Sequence, residues 1–518
     1  MNITINEQTN DNTLNVVLDT LNKNKQALVF VNTKRSAEKV AEDVAKFLSK
    51  NSTEINHELS EDILHALSKP TSQCERLANI VKYGIAFHHA GLTSKQKELI
   101  EDNFRTGSIK IICCTPTLAA GVDLPAYRTI IRDLKRFSVR GYNYIPVLEY
   151  LQMAGRAGRP KYDIEGQSIV ITGTESEQEN ITEKYIHGEP EDIVSKLAVE
   201  PVLRTYVLSL IASEFVNSRE RLVEFFSKTF WAHQFEDMQK LEKIIDKMIH
   251  LLGEFNFITS KKSDFISADE ITDSKLRATE LGKRVAQLYI DPLTAHKFIE
   301  SIKWKQKPSA FGLLQLICNT MELRPRLTVK QKELSNYAAL IVEKTEDFLA
   351  ETPDEFEPEY DDFLESVKTA NFFLEWMDEK DDEWLLETFD VRPGETRAKL
   401  EIANWLLYSC QELAKLIENP VFARETSKIR YRLRYGVKEE LLTLLQLKEI
   451  GRVRARKLFN NGIKDMGDVK KIDFMKLKQL LGDAVAKNVK EQVGEKIDIH
   501  IKETKRKGQM SLGKYSEE

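Results

Sequence analysis

Between residue 27 and about residue 175 the chain alternates two hydrophobic rhythms. The first is a set of short, near-continuous aliphatic runs: "ALVFVNT" (Ala27–Thr33), then "GIAFHHAG", "IKIICCT", "TIIRDL" and "QSIVITG". Runs this short, rich in β-branched side chains and followed by polar sequence, predict buried strands. The second rhythm is amphipathic. In "KRSAEKVAEDVAKFL" the apolar residues Ala37, Val40, Ala41, Val44 and Leu48 recur at the spacing of one helix face. Strand and helix in turn predict an α/β domain, a parallel sheet covered by helices, with ligands at the carboxyl ends of the strands.

The pattern changes near residue 180. "DIVSKLAVEPVLRTYVLSLIASEFV" has helical spacing, and "LLGEFNFIT…LRATELGKRVAQLYI" reads as helix, short hairpin, helix, the order of a winged helix. From about 291 to 430 the pattern is helical throughout, broken by the acidic stretch "ETPDEFEPEYDDFLE", read as a loop or solvated face. The end carries "LLQLKEIGRVRARKLFNNGIKDMGDV" and then a basic tail. A chain of 518 residues is too long for one core. The segments predicted are 1–178, 179–290, 291–436, 437–500 and 501–518.

Composition narrows this only a little. Net charge is −5, so any nucleic-acid footprint has to be local. Five cysteines without a CxxC pair argue against a disulfide framework and a zinc site, and Cys113 and Cys114 read as core residues on a strand. The polar N-terminus is no signal peptide, and no apolar run approaches a membrane span, so a cytoplasmic protein is expected.

The chemistry concentrates in "YLQMAGRAGRPKYD" (Tyr150–Asp163), where two arginines each follow a glycine. Guanidinium groups fork onto phosphate oxygens and stabilise the charge that develops in phosphoryl transfer, while glycine lets backbone approach. Alone, this run also fits a basic surface turn. It is preceded by "FVNTKRSAE", "FHHAGL" and "CTPTLAAGVDLPAYRTIIRD". Together these resemble motifs IV, V and VI of the second RecA-like domain of superfamily-two helicases. With "SKLAVEPVLRTYVLSLIAS", "TELGKRVAQLYIDPLTA" and "RLRYGVKEELL", the chain from about residue 25 to 500 resembles the archaeal Hjm-type DNA repair helicases, of the Ski/Brr-like group and similar to the helicase part of DNA polymerase theta.

That resemblance implies an α/β RecA-like domain with a parallel sheet, followed by mostly α-helical domains: winged helix, helical ratchet bundle and helix-hairpin-helix. It also implies residue roles. Gln152, Arg156 and Arg159 would close on ATP with Mg²⁺, and Gly121 and Asp123 would approach the nucleotide. Thr33, Arg35 and Thr115 would follow the strand's phosphates, with His88 either beside the strand or packed. Phe137, Tyr142 and Tyr144, on a predicted hairpin turning at Arg140–Gly141, would part the duplex by stacking on its end, or else pack the hairpin on its own domain.

Further along, Trp405 matches a base-holding tryptophan on a long helix, with packing in the core as the alternative. Its companion arginine does not fall cleanly: the expected place is Ala398, with Arg397 and Lys399 on either side. "LKEIGRVRARKLFNNGI" resembles a helix-hairpin-helix element, a phosphate site independent of base sequence, to which Arg452, Arg454 and Arg456 add charge, or is simply a basic helix. Gln509, Leu512 and Tyr515 follow the order of a sliding-clamp-binding peptide without its second aromatic.

One set of parts is missing from the sequence. It contains no GxxxxGK[ST] and no DExH-type acidic box, the elements that cradle phosphate and magnesium in such motors. The sequence reading is therefore the C-terminal portion of an ATP-dependent 3′–5′ DNA helicase, acting on single-stranded and forked DNA in repair or at stalled replication forks. Its P-loop domain is expected from elsewhere, by a split gene, a second subunit or a truncated frame. A non-catalytic DNA-binding remnant and an RNA helicase of the same superfamily stand as alternatives.

Overall fold

The computed structural model describes residues 4–50, 56–67, 69–138, 141–158, 163, 165–197, 199–235, 237–261 and 275–494. Arg140, Arg159 and the tail residues Gln509, Leu512 and Tyr515 lie outside the described residues. No described helix is long and apolar enough to cross a membrane.

The chain divides into two compact units. The larger comprises residues 1–376 and 380–430, the smaller residues 377–379 and 431–518. In the larger unit the five aliphatic runs form one parallel sheet, from β1 (Ala27–Phe30), β2 (Ile85–His88), β3 (Ile111–Cys114), β4 (Arg128–Ile131) and β7 (Gln167–Val170), in the order β2-β3-β1-β4-β7. The first four are buried along their whole length, as strands covered on both faces must be. Cys113 and Cys114 are free, fully buried thiols, and burial pushes both up in pKa.

Helix α1 (Asn12–Asn22) is tied to the sheet by a fully buried arginine. Arg128 donates to Thr20 Oγ1 at 2.7 Å, Asp19 Oδ2 at 2.9 Å, Val16 O at 3.2 Å and Gln167 Oε1. Helix α2 (Lys34–Leu48) starts where β1 ends. Thr33 caps it, its hydroxyl oxygen accepting the Ser36 N–H, and Ala37, Val40, Ala41 and Val44 face the core.

After β4 the chain forms an antiparallel hairpin, β5 (Lys135–Ser138) with β6 (Gly141–Tyr144), pairing Phe137 with Tyr142. A second hairpin, β8 (Ile258–Lys261) with β9 (Lys275–Ala278), lies between the helices Met238–Glu254 and Glu280–Leu288. The acidic stretch is a loop with turns only over residues 351–359; its last six residues begin the helix Tyr360–Met377 and bury Phe363 and Leu364. The longest helix, Pro393–Leu416, buries Leu400, Leu406, Leu407, Cys410 and Leu413 along one stripe.

The smaller unit contains the helices Arg452–Asn460, Met466–Lys471, Phe474–Leu481 and Asp483–Gln492. Its own apolar core includes Leu441, Leu444, Leu458, Val469, Leu477 and Val489.

Candidate functional site

The carboxyl ends of β1, β2 and β3 run into Asn32–Thr33, His89–Ala90 and Thr115–Pro116, which share one rim of the sheet. There they line an open cleft of about 800 Å³ with Lys34, Arg35, Thr117 and Gln152. Thr33 and Arg35 are exposed, and Thr115 Oγ1 lies 2.9 Å from Thr117 Oγ1. Lys34 is paired with Glu395, and Arg35 with Asp390 at 2.6 Å. Arg136 and Arg392 also reach the cleft. Its wall bears hydroxyls and four cations, each resting on a carboxylate, Arg136 on Glu149 of the same wall and Arg392 on Glu38. A phosphate backbone would have to compete for them.

A short helix, Thr117–Gly121, joins this cleft to the arginine motif. Arg156 donates through Nε to Ala119 O at 3.0 Å, through its second terminal nitrogen to the same carbonyl, and lies 3.1 Å from Asp123 Oδ1. The Asp123 side chain is 93% exposed and that of Arg156 is 23% exposed. A Cβ on Gly121 would meet nothing within 4 Å. These residues fit one wall of a nucleotide site: a cation at rest on a carbonyl, an open glycine and an exposed carboxylate. Among the described residues no cluster of three or more His, Cys, Asp or Glu side chains is placed to hold a metal ion.

Several expected contacts are placed elsewhere. His88 is 5% exposed, its Nε2 3.0 Å from Glu101 Oε1, and its Nδ1 is buried with no hydrogen-bond partner among the described residues. Burial holds its pKa down to about 3, so the ring is neutral and turned into the domain, away from any strand. His89 is fully buried as well. Both histidines end inside because the parallel sheet is covered on both faces.

On the hairpin, Tyr142 is 72% exposed, whereas Tyr144 packs on its own domain under Lys135 and Lys184 and against Tyr185. The side chain of Phe137 lies outside the described residues.

On the helix Pro393–Leu416, Trp405 is half-buried, and its indole N–H donates to Leu288 O at 2.9 Å. Arg397 pairs with Asp382 at 2.9 Å and stacks over Trp376. Lys399 is largely buried, donating to Pro325 O, and burial lowers its pKa. Both cations beside Ala398 are thus engaged within the fold, although the Arg397 side chain remains 40% exposed.

In the smaller unit the turn Glu449–Gly451 leads into the helix Arg452–Asn460. Arg454 is exposed and donates to Glu449 O at 2.8 Å. Arg456 is held by two carboxylates, Glu379 at 2.5 Å and Glu440 at 2.7 Å. It is an internal ion pair, which the basic run in the sequence did not reveal.

Sequence reading also passed over a charge cluster in which Glu38 and Arg392 are buried and Arg76 is partly exposed. The one local signal was a glutamate beside Ala37 and Ala41, on the apolar stripe of α2.

Residues 61–161 match the family model "Helicase conserved C-terminal domain", and residues 311–436 match "Archaeal helicase, domain 4". The chain is 39% identical over 98% of its length to a protein of Methanocella arvoryzae described as ATP-dependent DNA helicase Hel308, covering 68% of that protein. It is 35% identical to a namesake from Methanococcus vannielii, over 94% of the chain and 68% of the relative. A third, from Pyrococcus horikoshii, is 37% identical over 93% of the chain and 66% of the relative.

Proposed function

The chain belongs to the Hel308 family of ATP-dependent DNA helicases, and from that premise we propose that it is the C-terminal portion of a 3′–5′ DNA helicase acting in repair or at stalled forks. It works with a P-loop domain whose GxxxxGK[ST] motif this sequence does not contain. About a third of each relative's length lies outside the matched region, and the relatives carry the name of the whole activity.

The observation that carries the reading is the helix Thr117–Gly121. At one end Thr115 and Thr117 line the cleft, and near the other the Ala119 carbonyl holds Arg156. ATP with Mg²⁺ supplies the free energy when bound. On this side Arg156, with Arg159 and Gln152, would meet its terminal phosphate, and Gly121 and Asp123 would border the nucleotide.

When Arg156 turns to a phosphate, the Ala119 carbonyl and Asp123 lose their donor. The segment that bears the cleft hydroxyls then has a different set of partners in the two states. That is a local two-state element linking phosphate to strand. Tyr142, at the exposed edge of the hairpin, would meet the end of the duplex, and Trp405 would hold a base of the emerging strand. The β8–β9 region serves as a winged helix and the smaller unit as a helix-hairpin-helix module for duplex phosphates, with Arg454 as its exposed cation.

The test is ATP hydrolysis by the purified chain, with and without single-stranded DNA, alone and mixed with a separately produced P-loop domain of a relative. We expect DNA-stimulated turnover only in the mixture, and its loss in Arg156→Ala. Absence of turnover in the mixture, with salt-sensitive DNA binding intact, would establish the chain as a binding remnant. Stimulation by RNA alone would move the substrate to RNA.

A further inference from the structure

Glu38 is 2% exposed on the buried face of α2 and meets cations or ring nitrogens from three separate elements. Its Oε1 accepts from Arg392 Nε at 3.0 Å and lies 3.2 Å from His89 Nε2. Its Oε2 accepts from Arg76 at 2.7 Å. The Gly91 N–H donates to His89 Nδ1 at 3.1 Å, which leaves the ring proton on Nε2, close to Glu38 but outside hydrogen-bond geometry. Burial alone would raise the pKa of Glu38, but the neighbouring His89 and Arg392 outweigh it and hold the carboxyl down to about 2. The carboxylate is therefore charged and itself almost wholly out of solvent, held by Arg392 and by the more exposed Arg76, the condition in which loss of one partner strands a buried charge.

The backbone repeats the contact. Gly394 N–H donates to Gly91 O at 3.0 Å. A Cβ on Gly394 would lie 2.2 Å from Leu92 O and 2.6 Å from Ala90 O, so only glycine lets these two segments touch. Exposed pairs, Lys69 with Asp381 and Arg35 with Asp390, lie around the same contact, where solvent makes each of them weak. Arg392 caps the helix that carries Trp405 and also reaches the cleft of Thr33 and Thr115. Trp405 lies 13 residues on, roughly 20 Å along the helix axis.

We propose that Glu38, with His89 and Arg392, is a positioning clamp that locks the Trp405 helix to the sheet domain, so that the cleft and Trp405 hold a single strand in one register and move as one body. The inference rests on the reading of cleft and Trp405 as strand contacts. A contact made only by exposed ion pairs would let the helix slide. One carboxylate shared by three elements and almost wholly out of solvent permits one arrangement.

The test places spin labels on the full chain at Lys39→Cys and Glu401→Cys, both exposed positions, with all five native cysteines buried. The label-to-label distance distribution is measured by pulsed electron resonance, and the affinity for a fluorescent oligothymidylate by anisotropy at fixed salt. The parent should give one narrow distribution. Glu38→Gln and Arg392→Ala should broaden it and weaken oligonucleotide binding by about 3- to 10-fold, since the two halves of the surface are no longer preorganised. Arg392→Lys should restore most of the narrow distribution, and Lys69→Ala, which touches only an exposed pair, should change neither reading.

An unchanged narrow distribution in both Glu38→Gln and Arg392→Ala overturns the clamp. A broadened distribution with unchanged binding overturns its service to the strand. If Glu38→Gln does not fold, Arg392→Gln, which leaves an amide donor beside the carboxylate, decides alone through the distance distribution. Failure of the parent to bind the oligonucleotide would instead refute the strand reading, and the distance measurement would still report on the clamp.

Discussion

Trp405 gives the sharpest separation between packing and strand binding. Its indole N–H donates to Leu288 O at 2.9 Å, at the end of the helix Glu280–Leu288, and the ring is half-buried on the helix Pro393–Leu416. Trp405→Ala removes that hydrogen bond, a net of about 0.5–1.5 kcal/mol, together with part of the contact area of a large aromatic, for which full burial is worth about 3–5 kcal/mol. About 2–3 kcal/mol of lost stability is therefore expected for a half-buried ring.

If the exposed face also stacks on a base, binding should fall by a further ~1–3 kcal/mol, roughly 5- to 150-fold. Trp405→Phe keeps a stacking ring and loses the N–H, so it should cost about 1 kcal/mol of stability and less than about fivefold in affinity. Denaturant unfolding reports the first quantity and anisotropy of a labelled oligothymidylate the second, both at one salt concentration. Equal binding loss in Trp405→Phe and Trp405→Ala, or undiminished binding by a folded Trp405→Ala, would refute base stacking at this residue.

Two further outcomes follow from geometry already described. In the smaller unit, Arg454→Gln should lower the slope of log affinity against log salt by about one while leaving stability unchanged. Arg456→Gln, which strands Glu379 and Glu440, should destabilise that unit by about 1–3 kcal/mol and leave the slope nearly as it was, seen by comparing unfolding and salt titrations.

Acid stability is the second outcome. The folded chain keeps His88 neutral down to about pH 3, whereas an unfolded histidine takes its proton near 6.5, so folded stability should fall as pH drops through that window, with a slope of about one proton. Glu101, whose carboxyl is raised by burial, opposes this in the upper carboxylate range. His88→Gln should flatten the pH dependence of the unfolding midpoint between pH 6 and 5 by about one proton, and an unaltered profile would contradict a neutral buried His88.

Much of the first domain was legible from sequence, because the signals that form it are local. A fully covered parallel strand needs a continuous aliphatic run, and the five runs from Ala27 to Val170 became the five strands of the sheet. A helix packed on that sheet needs apolar residues every three or four positions, and α2 has them, with Thr33 as its cap. Thr33, Thr115 and Gln152 were found by motif; the first two line one cleft because parallel strands deliver their carboxyl ends to one rim, and Gln152 joins them from the helix Val147–Ala154.

What tertiary structure alone decided is the fate of each charge. In "FHHAGL" nothing distinguishes a histidine offered to a strand from one buried under helices on both faces, and the fold buried both. Arg456 reads as one more cation of a basic run until Glu379 arrives from 77 residues away. Glu38 and Arg392 are 354 residues apart and share one hydrogen bond. Periodicity encodes which face of an element is apolar, a property of neighbours a few residues apart. Whether a charge meets solvent or a partner depends on which distant segment packs there, and the partner's identity is written nowhere near it in the chain.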